Sequence, residues 1–237
     1  MANDSKRRMQ PIKAFLALRN LLKDPNKTEE VFNIIRAMSG SSLEKCYEQF
    51  RGTAIGKQIL TERRQLLLAL QNRPKLAKLP IESLGRAYLS FTEKERISAK
   101  GLVDASDEAI SISNPDLRLY ADRIRDMHDL WHVVTGYGRD TFGEACLLAF
   151  TYAQTRNRGV GIIALVGFFK LRKVIGSEVA HAMWQGYKGG LRASWLPAED
   201  WERLLALPID GVRRQLNIEE PTKYLEKYEA LQKLATV

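Results

Sequence analysis

Two histidines, an aspartate and a glutamate stand close enough in the chain to share one piece of chemistry. The stretch reads His128-Asp129-Leu130-Trp131-His132, then eleven residues, then Glu144. On an α-helix, residues four apart lie on one face, so His128 and His132 can turn their imidazoles toward a single cation. Asp129 precedes His132 by three positions and can either join the ligand set or orient a ligand from behind. Gly136 and Gly138 break the helix, and a second one starting near Thr141 places Glu144 about one turn past the reversal. An antiparallel pair then brings Glu144 to His132. Two imidazoles with one or two carboxylates and an open position form a catalytic rather than a structural ligand set. The donors suit a divalent ion, with zinc first and iron or another redox metal also compatible.

Blander readings compete. Leu117, Ala121, Ile124, His128, Trp131, His132 and Thr135 share one side of the helix, so both histidines face inward, as core histidines also do. Thr141-Phe142-Gly143-Glu144 fits a capping box, in which the glutamate bonds back to the cap residue's backbone and needs no metal. The string resembles the H-E-x-x-H of zinc proteases with the glutamate shortened to Asp129. That carboxylate reaches a bound water less easily, which disfavours peptide hydrolysis. A metal phosphohydrolase would expect a further histidine upstream, and His181, the remaining one, comes later and reads as a lone surface or helix residue.

The elements that must position these residues read as helices throughout, with no convincing alternation of a strand. Pro11 opens an apolar-periodic segment through Phe15, Leu18, Leu21 and Leu22, which Asp24-Pro25 ends. Thr28 caps a second with Val31, Ile34, Ile35 and Met38 inward, and Gly40-Ser41-Ser42 restarts the chain for Leu43 to Phe50. Thr53 to Leu70 carries a long apolar set, and Leu79-Pro80 turns the chain toward Leu84, Ala87, Tyr88 and Phe91. After a mixed connector from Gly101 to Ser113, Asn114-Pro115 supplies a cap and a first-turn proline for the helix that bears the histidines. Segments Ser177 to Leu191, Pro197 to Leu205, Asp210 to Leu216 and Pro221 to Leu234 complete an all-α, single-domain multi-helix bundle. Residues 1–10 are expected as a flexible N-terminus and 11–237 as the domain.

Between these lies the most apolar run, Val160 to Phe169, flanked by Arg156, Arg158, Lys170, Arg172 and Lys173. It is too short to span a bilayer, which takes about twenty apolar residues. A buried core helix explains it. So does a greasy wall rimmed by cations, with Ile163, Val166 and Phe169 along an isoprenoid and Arg156 or Arg158 near its polar end. The 237 residues carry a formal net charge of +9, which suits nucleic acid, anionic membrane or phosphorylated ligands alike. No helix-turn-helix, zinc finger or RNA-recognition signature accompanies that charge, so nucleic acid is set aside. Cys46 and Cys146, far apart and without C-x-x-C spacing, give neither a disulfide framework nor a cysteine zinc site. The N-terminus, with Lys6-Arg7-Arg8 and Pro11, lacks the apolar core of a secretory signal.

The metal string, the following Ala153-Gln154-Thr155 and the late Glu199-Asp200-Trp201-Glu202 together resemble the coenzyme Q biosynthesis protein four family, from about Pro11 to Ile218. The resemblance implies an all-α fold and a divalent metal on His128, Asp129, His132 and Glu144. It implies work on polyprenylated ring intermediates of ubiquinone synthesis, as a decarboxylase at ring position C1 or as a non-catalytic lipid-binding scaffold for a biosynthetic complex. In a simple decarboxylation a metal-bound water or Asp129 is the candidate proton donor, whereas an oxidative route needs oxygen and favours iron. The partners implied are a polyprenylated aromatic substrate or isoprenoid lipid, a membrane surface, other ubiquinone-biosynthesis proteins and a second copy in a homodimer. Without a mitochondrial targeting segment, the expected place is the cytoplasm, peripheral on the inner membrane of a bacterium.

Overall fold

The computed structural model describes residues 9–23, 27–98 and 112–235. The Asp24-Pro25 break, most of the Gly101–Ser113 connector and the arm before Met9 lie outside the described residues, as do the side chains of Leu22, Thr28 and Leu234. Among the described residues the secondary structure is helical, with a single isolated bridge between Ser83 and Pro208. In chain order the helices are α1 (Pro11–Lys23), α2 (Thr28–Ser39), α3 (Ser42–Gly52), α4 (Ala54–Glu62), α5 (Leu66–Gln71), α6 (Arg73–Ala77) and α7 (Leu84–Lys94). Then come α8 (Pro115–Asp126), α9 (His128–Thr135), α10 (Thr141–Thr155), α11 (Arg158–Ile175) and α12 (Glu178–Arg192). A 3-10 turn (Leu196–Ala198), α13 (Trp201–Leu204), α14 (Ile209–Gln215) and α15 (Thr222–Ala235) follow.

The centre of the molecule is α10, which is apolar on nearly every side and is therefore enclosed on nearly every side. Cys146 and Leu147 are wholly buried against Leu130 and Val134 of α9 and Val179 and Ala182 of α12. Helix α12 comes unusually near because Gly186 and Gly190 face α10. A Cβ at these positions would lie 2.6 Å from the Cys146 carbonyl oxygen and 2.5 Å from that of Phe150. Around this pair, α11 and α2 close one flank, while α7, α14 and α15 close the end that carries the histidines.

Several boundaries follow the sequence and others depart from it. Asn114 accepts the backbone N–H groups of Asp116 (2.9 Å) and Leu117 (3.2 Å), and Thr53 caps α4 by accepting from Gly56 (2.9 Å). The Thr53–Leu70 set is not one helix, because Arg63 takes a left-handed conformation (φ 53°) and the chain turns before α5. The histidine helix is likewise interrupted at Met127. Two backbone bonds span the joint, Met127 N–H to Arg123 O and Trp131 N–H to Met127 O, both 3.0 Å. Phe15, part of the apolar period of α1, is 65% exposed; Ala14 and Ala17 are the buried residues of α1, which packs on α2.

The late acidic string is structural. Asp200 caps α13 and binds Arg64 (2.9 Å), Trp201 is fully buried, and Glu202 forms a two-pronged pair with Arg123, one prong at 2.9 Å. Arg123 is 1% exposed, so this pair clamps α8 to α13 in a dry setting. Gln154 is buried in the same spirit, donating to Gly190 O (2.6 Å) and accepting from Leu196 N–H (2.9 Å).

Candidate metal centre

Helix α9 carries His128 and His132 one turn apart, their ring centroids 4.9 Å apart and nearly perpendicular. At its end Gly136 adopts a left-handed conformation (φ 78°) and its N–H closes on His132 O, as at many helix C-termini. The chain reverses through Tyr137, Gly138 and Arg139. Asp140 then caps α10 by accepting from Phe142 N–H (3.1 Å) and Gly143 N–H (3.0 Å). Asp140, not Thr141, is the cap, so the capping box does not form and Glu144 turns instead toward the histidines. Its carboxylate lies 3.3 Å from His132 Nε2 and 3.9 Å from His128 Nε2.

His128, His132 and Glu144 each offer one ligand atom, and these atoms all lie within 4.8 Å of one another. Asp129 does not join this group. It is 3% exposed, and its charge is felt by Tyr88 of α7. Burial pushes the Asp129 carboxyl above its ordinary range, against the two histidines.

The tautomer of His132 tests whether these residues fit a cation. Its Nδ1 is 2.9 Å from the Tyr137 carbonyl oxygen, which can only accept, so Nδ1 carries the proton. In the neutral ring, Nε2 then aims a lone pair at the Glu144 carboxylate. Nε2 is buried and, despite the 3.3 Å approach, makes no well-aligned hydrogen bond among the described residues. Two facing lone pairs repel unless a positive charge sits with them, either a proton or a metal. The trio fits a divalent ion with an imidazole held from behind by a carbonyl, the usual support for a metal-binding histidine. Phe91 stacks on the His132 ring at 5.7 Å and closes one side. His128 and Glu144 are about one-third exposed, at 30% and 31%, which leaves access from the other.

The electrostatics agree. Burial works against a charged His132, yet Glu144, the Tyr137 carbonyl and Asp129 outweigh it and raise the ring above its ordinary value. Burial and the neighbouring His132 lower His128, which favours the neutral ligand form. Burial also opposes ionised Glu144, but the two histidines and Arg139 hold it below the usual carboxylate range. Arg139 is exposed, and its charge also bears on His128 and Asp129.

A groove of about 670 Å³ runs between α11 and α12, lined by Tyr152, Ile162, Leu165, Phe168, Met183 and Trp184 among others, with Arg158 at its edge. Of the sequence-predicted lipid residues, Arg158 lines it, and Arg156 donates to the hydroxyl of the lining Tyr187 (3.2 Å). Ile163 instead packs on Ala17 and Ile34, Val166 is half-buried, and Phe169 is 56% exposed; none of the three lines the groove. Ala149 and Tyr152 of α10 contribute to the wall. At about 1.5 Å per residue, Ala149 stands roughly 7.5 Å along the helix axis from Glu144.

The family model described as "Coenzyme Q (ubiquinone) biosynthesis protein Coq4" matches residues 9–222. The chain belongs to this family. Among Coq4 relatives, the zebrafish (Danio rerio) ubiquinone biosynthesis protein is 29% identical over 84% of this chain and 73% of its own length. Those of Scheffersomyces stipitis and Aspergillus flavus are 28% and 31% identical, over 76% and 70% of this chain and 55% and 57% of theirs. A crystal structure from Nostoc punctiforme, 22% identical, superposes with a TM-score of 0.66 over 88% of this chain and 98% of that one, a likeness of fold. The three relatives are named mitochondrial proteins. This overturns the expectation of a cytoplasmic protein on a bacterial inner membrane. Among the described residues no helix is long and apolar enough to cross a membrane.

The sequence did not point to Tyr137, whose contribution is a backbone carbonyl, or to Arg139. It also passed over Tyr224 of α15, which reaches the reversal from 84 positions away. The Asp-Thr start of α10 was a legible cap signal. The Trp184 and Tyr187 side of the groove left no trace, because those residues read simply as part of an amphipathic helix.

Proposed function

We propose that this Coq4-family chain is a metal-dependent lyase that removes the C1 carboxyl group from a polyprenylated 4-hydroxybenzoate intermediate of ubiquinone biosynthesis. The observation that carries the proposal is the buried His132 Nε2, fixed as a lone-pair donor by the Tyr137 carbonyl and aimed with His128 and Glu144 at one point. A divalent ion held there, zinc by its donors with iron also suited, would supply positive charge for the substrate's carboxylate and for negative charge developing on the ring oxygen. Losing carbon dioxide breaks the bond from C1 to the carboxyl carbon and leaves its electron pair on C1, where a proton must replace the carboxyl group. Asp129, whose burial favours the neutral acid, is the proton source in this reading. Arg139, exposed beside the trio, meets the anionic group of the entering ring. The groove between α11 and α12, walled in part by α10, takes the prenyl tail and so holds the ring against the open side of the centre.

A lipid-binding scaffold is favoured by a different observation, the groove together with exposed Leu165, Phe169 and Trp184. In that role these residues meet isoprenoid lipid, a membrane surface, other ubiquinone-biosynthesis proteins or a second copy of the chain. Carbon dioxide release from carboxyl-labelled substrate separates the two. Metal-loaded wild type is expected to release it, and folded Asp129→Asn and Glu144→Gln variants to release it at least tenfold more slowly, about 1.4 kcal/mol in the barrier. Equal release by all three sinks the mechanism, and prenyl binding without release by the wild type favours the scaffold.

A further inference from the structure

The reversal between α9 and α10 is held from outside by Tyr224, a residue of the C-terminal helix that stands beyond the span matched by the family. Tyr224 is 2% exposed. Its hydroxyl donates to Asp140 Oδ2 and accepts from Gly138 N–H (3.2 Å). The other Asp140 oxygen, Oδ1, is the acceptor that caps α10. One carboxylate thus joins the tyrosine to the first turn of the helix that presents Glu144. The ring of Tyr224 rests against Tyr137 (centroids 5.5 Å apart) and Phe142 (5.2 Å). Tyr137 in turn offers the carbonyl that fixes His132. Fit is close on every side: a Cβ at Gly138 would lie 2.6 Å from the Tyr224 hydroxyl.

We propose that Tyr224 is a positioning residue for the metal centre, setting the spacing between His132 and Glu144 through the Gly138 and Asp140 bonds; this rests on the metal-site reading above. Loop residues hold a geometry only as well as their supports do, and this loop must fix two ligand atoms on different helices at once. The anchor for Tyr224 is independent of the loop. Helix α15 is tied to α12 by Gln185, which donates to Thr222 Oγ1 (3.1 Å) and accepts from Lys223 N–H (2.9 Å). Loss of the hydroxyl therefore leaves the helix docked while freeing the loop.

Co(II) titration of the full chain, read by the visible absorption of the bound ion, tests this. Partners behind a metal ligand typically carry about 10–100-fold in affinity, so Tyr224→Phe, which keeps the ring, is expected to lose about tenfold. Its Co(II) spectrum is expected to shift, while its metal-free thermal midpoint moves no more than that of Tyr228→Phe, a control on the same helix. Asp140→Asn keeps a capping oxygen and withdraws the charge that Tyr224 binds, and is expected to change affinity and spectrum in the same direction. Wild-type affinity and spectrum in both Tyr224→Phe and Asp140→Asn overturn the proposal. Absence of Co(II) binding by the wild type itself overturns the metal-site reading, and the positioning role with it.

Discussion

Gly143→Ala reverses the usual sign of a helical glycine substitution. Inside an ordinary helix the exchange stabilises by about 1 kcal/mol, because alanine loses less backbone freedom on folding. Gly143 sits in the first turn of α10, where a Cβ would lie 2.2 Å from the Gly138 carbonyl oxygen and 2.8 Å from the carbonyl carbon and nitrogen of the same residue. These are backbone atoms, so no side chain can swing aside. Overpacking a closed site costs about 1–3 kcal/mol, and a rigid obstacle puts this case at or beyond the upper end. The net expectation is a loss of about 2 kcal/mol, read as a lower urea midpoint of metal-free protein. Gly211 in α14 is the internal control, since nothing lies within 4 Å of its Cβ position. Gly211→Ala is expected to raise the midpoint. Pushing Gly138 away also disturbs the Tyr137 carbonyl and the Asp140 cap, so Co(II) affinity of Gly143→Ala is expected to fall along with stability. A stabilised Gly143→Ala would show that the reversal does not press on α10 as described.

Two further outcomes follow from the site and the groove. Metal-free protein is expected to lose stability as pH rises above about 6.5 and metal affinity to gain over the same range. Glu144 is held below its ordinary 4.5 and His132 above its ordinary 6.5, so their mutual stabilisation is full between those values, fading below as Glu144 takes a proton and above as His132 loses one, whereas metal requires the rings unprotonated; urea midpoints with and without Zn(II) that move in parallel across this range would refute it. Leu165→Glu, at a 55% exposed position of the groove wall, is expected to fold normally and bind a prenyl alcohol at least tenfold more weakly, and undiminished binding would remove the groove as the tail's path.

The fold was legible because helix punctuation is local. Asn114-Pro115, Gly136 and Thr53 act on neighbours two to four residues away, and their effects can be read without knowing what packs where. Facing is a different matter. The apolar period of α1 through Phe15, Leu18 and Leu21 marked a helix but not which stripe is covered; packed against α2, it buries Ala14 and Ala17 and leaves Ile12 and Phe15 exposed. The trio His128, His132 and Glu144 was legible for the same local reasons, a four-residue spacing followed by a short reversal. Asp129 belongs to the same string but is not among the three grouped ligand atoms; about 100° round the helix from His128, it still interacts electrostatically with both histidines and with Tyr88 of α7. What holds the reversal in place was not legible at all, since Tyr224 and Asp140 meet only through tertiary folding.

The apolar run from Val160 to Phe169 admitted two readings, and helical geometry lets both hold on different faces. Val160, Ile163 and Ala164 are buried, the last also reaching the groove wall; Ile162, Leu165 and Phe168 line the groove; Phe169 is turned outward. Such a division has a consequence for specificity. Covering one exposed side chain of this size is worth about 1.5–3 kcal/mol, so a tail lying over Leu165, Phe168 and Trp184 gains several kcal/mol from contacts that distinguish one isoprene unit from the next poorly. Under the proposed function, tail length then tunes affinity without touching the chemistry. In the same reading, discrimination among ring substituents has to come from groups with direction, Arg139 on the reversal and the ion that His132, with its fixed tautomer, and Glu144, on its capped turn, would hold. All three depend on the few residues from Gly136 to Gly143, through the Tyr137 carbonyl and the Asp140 cap.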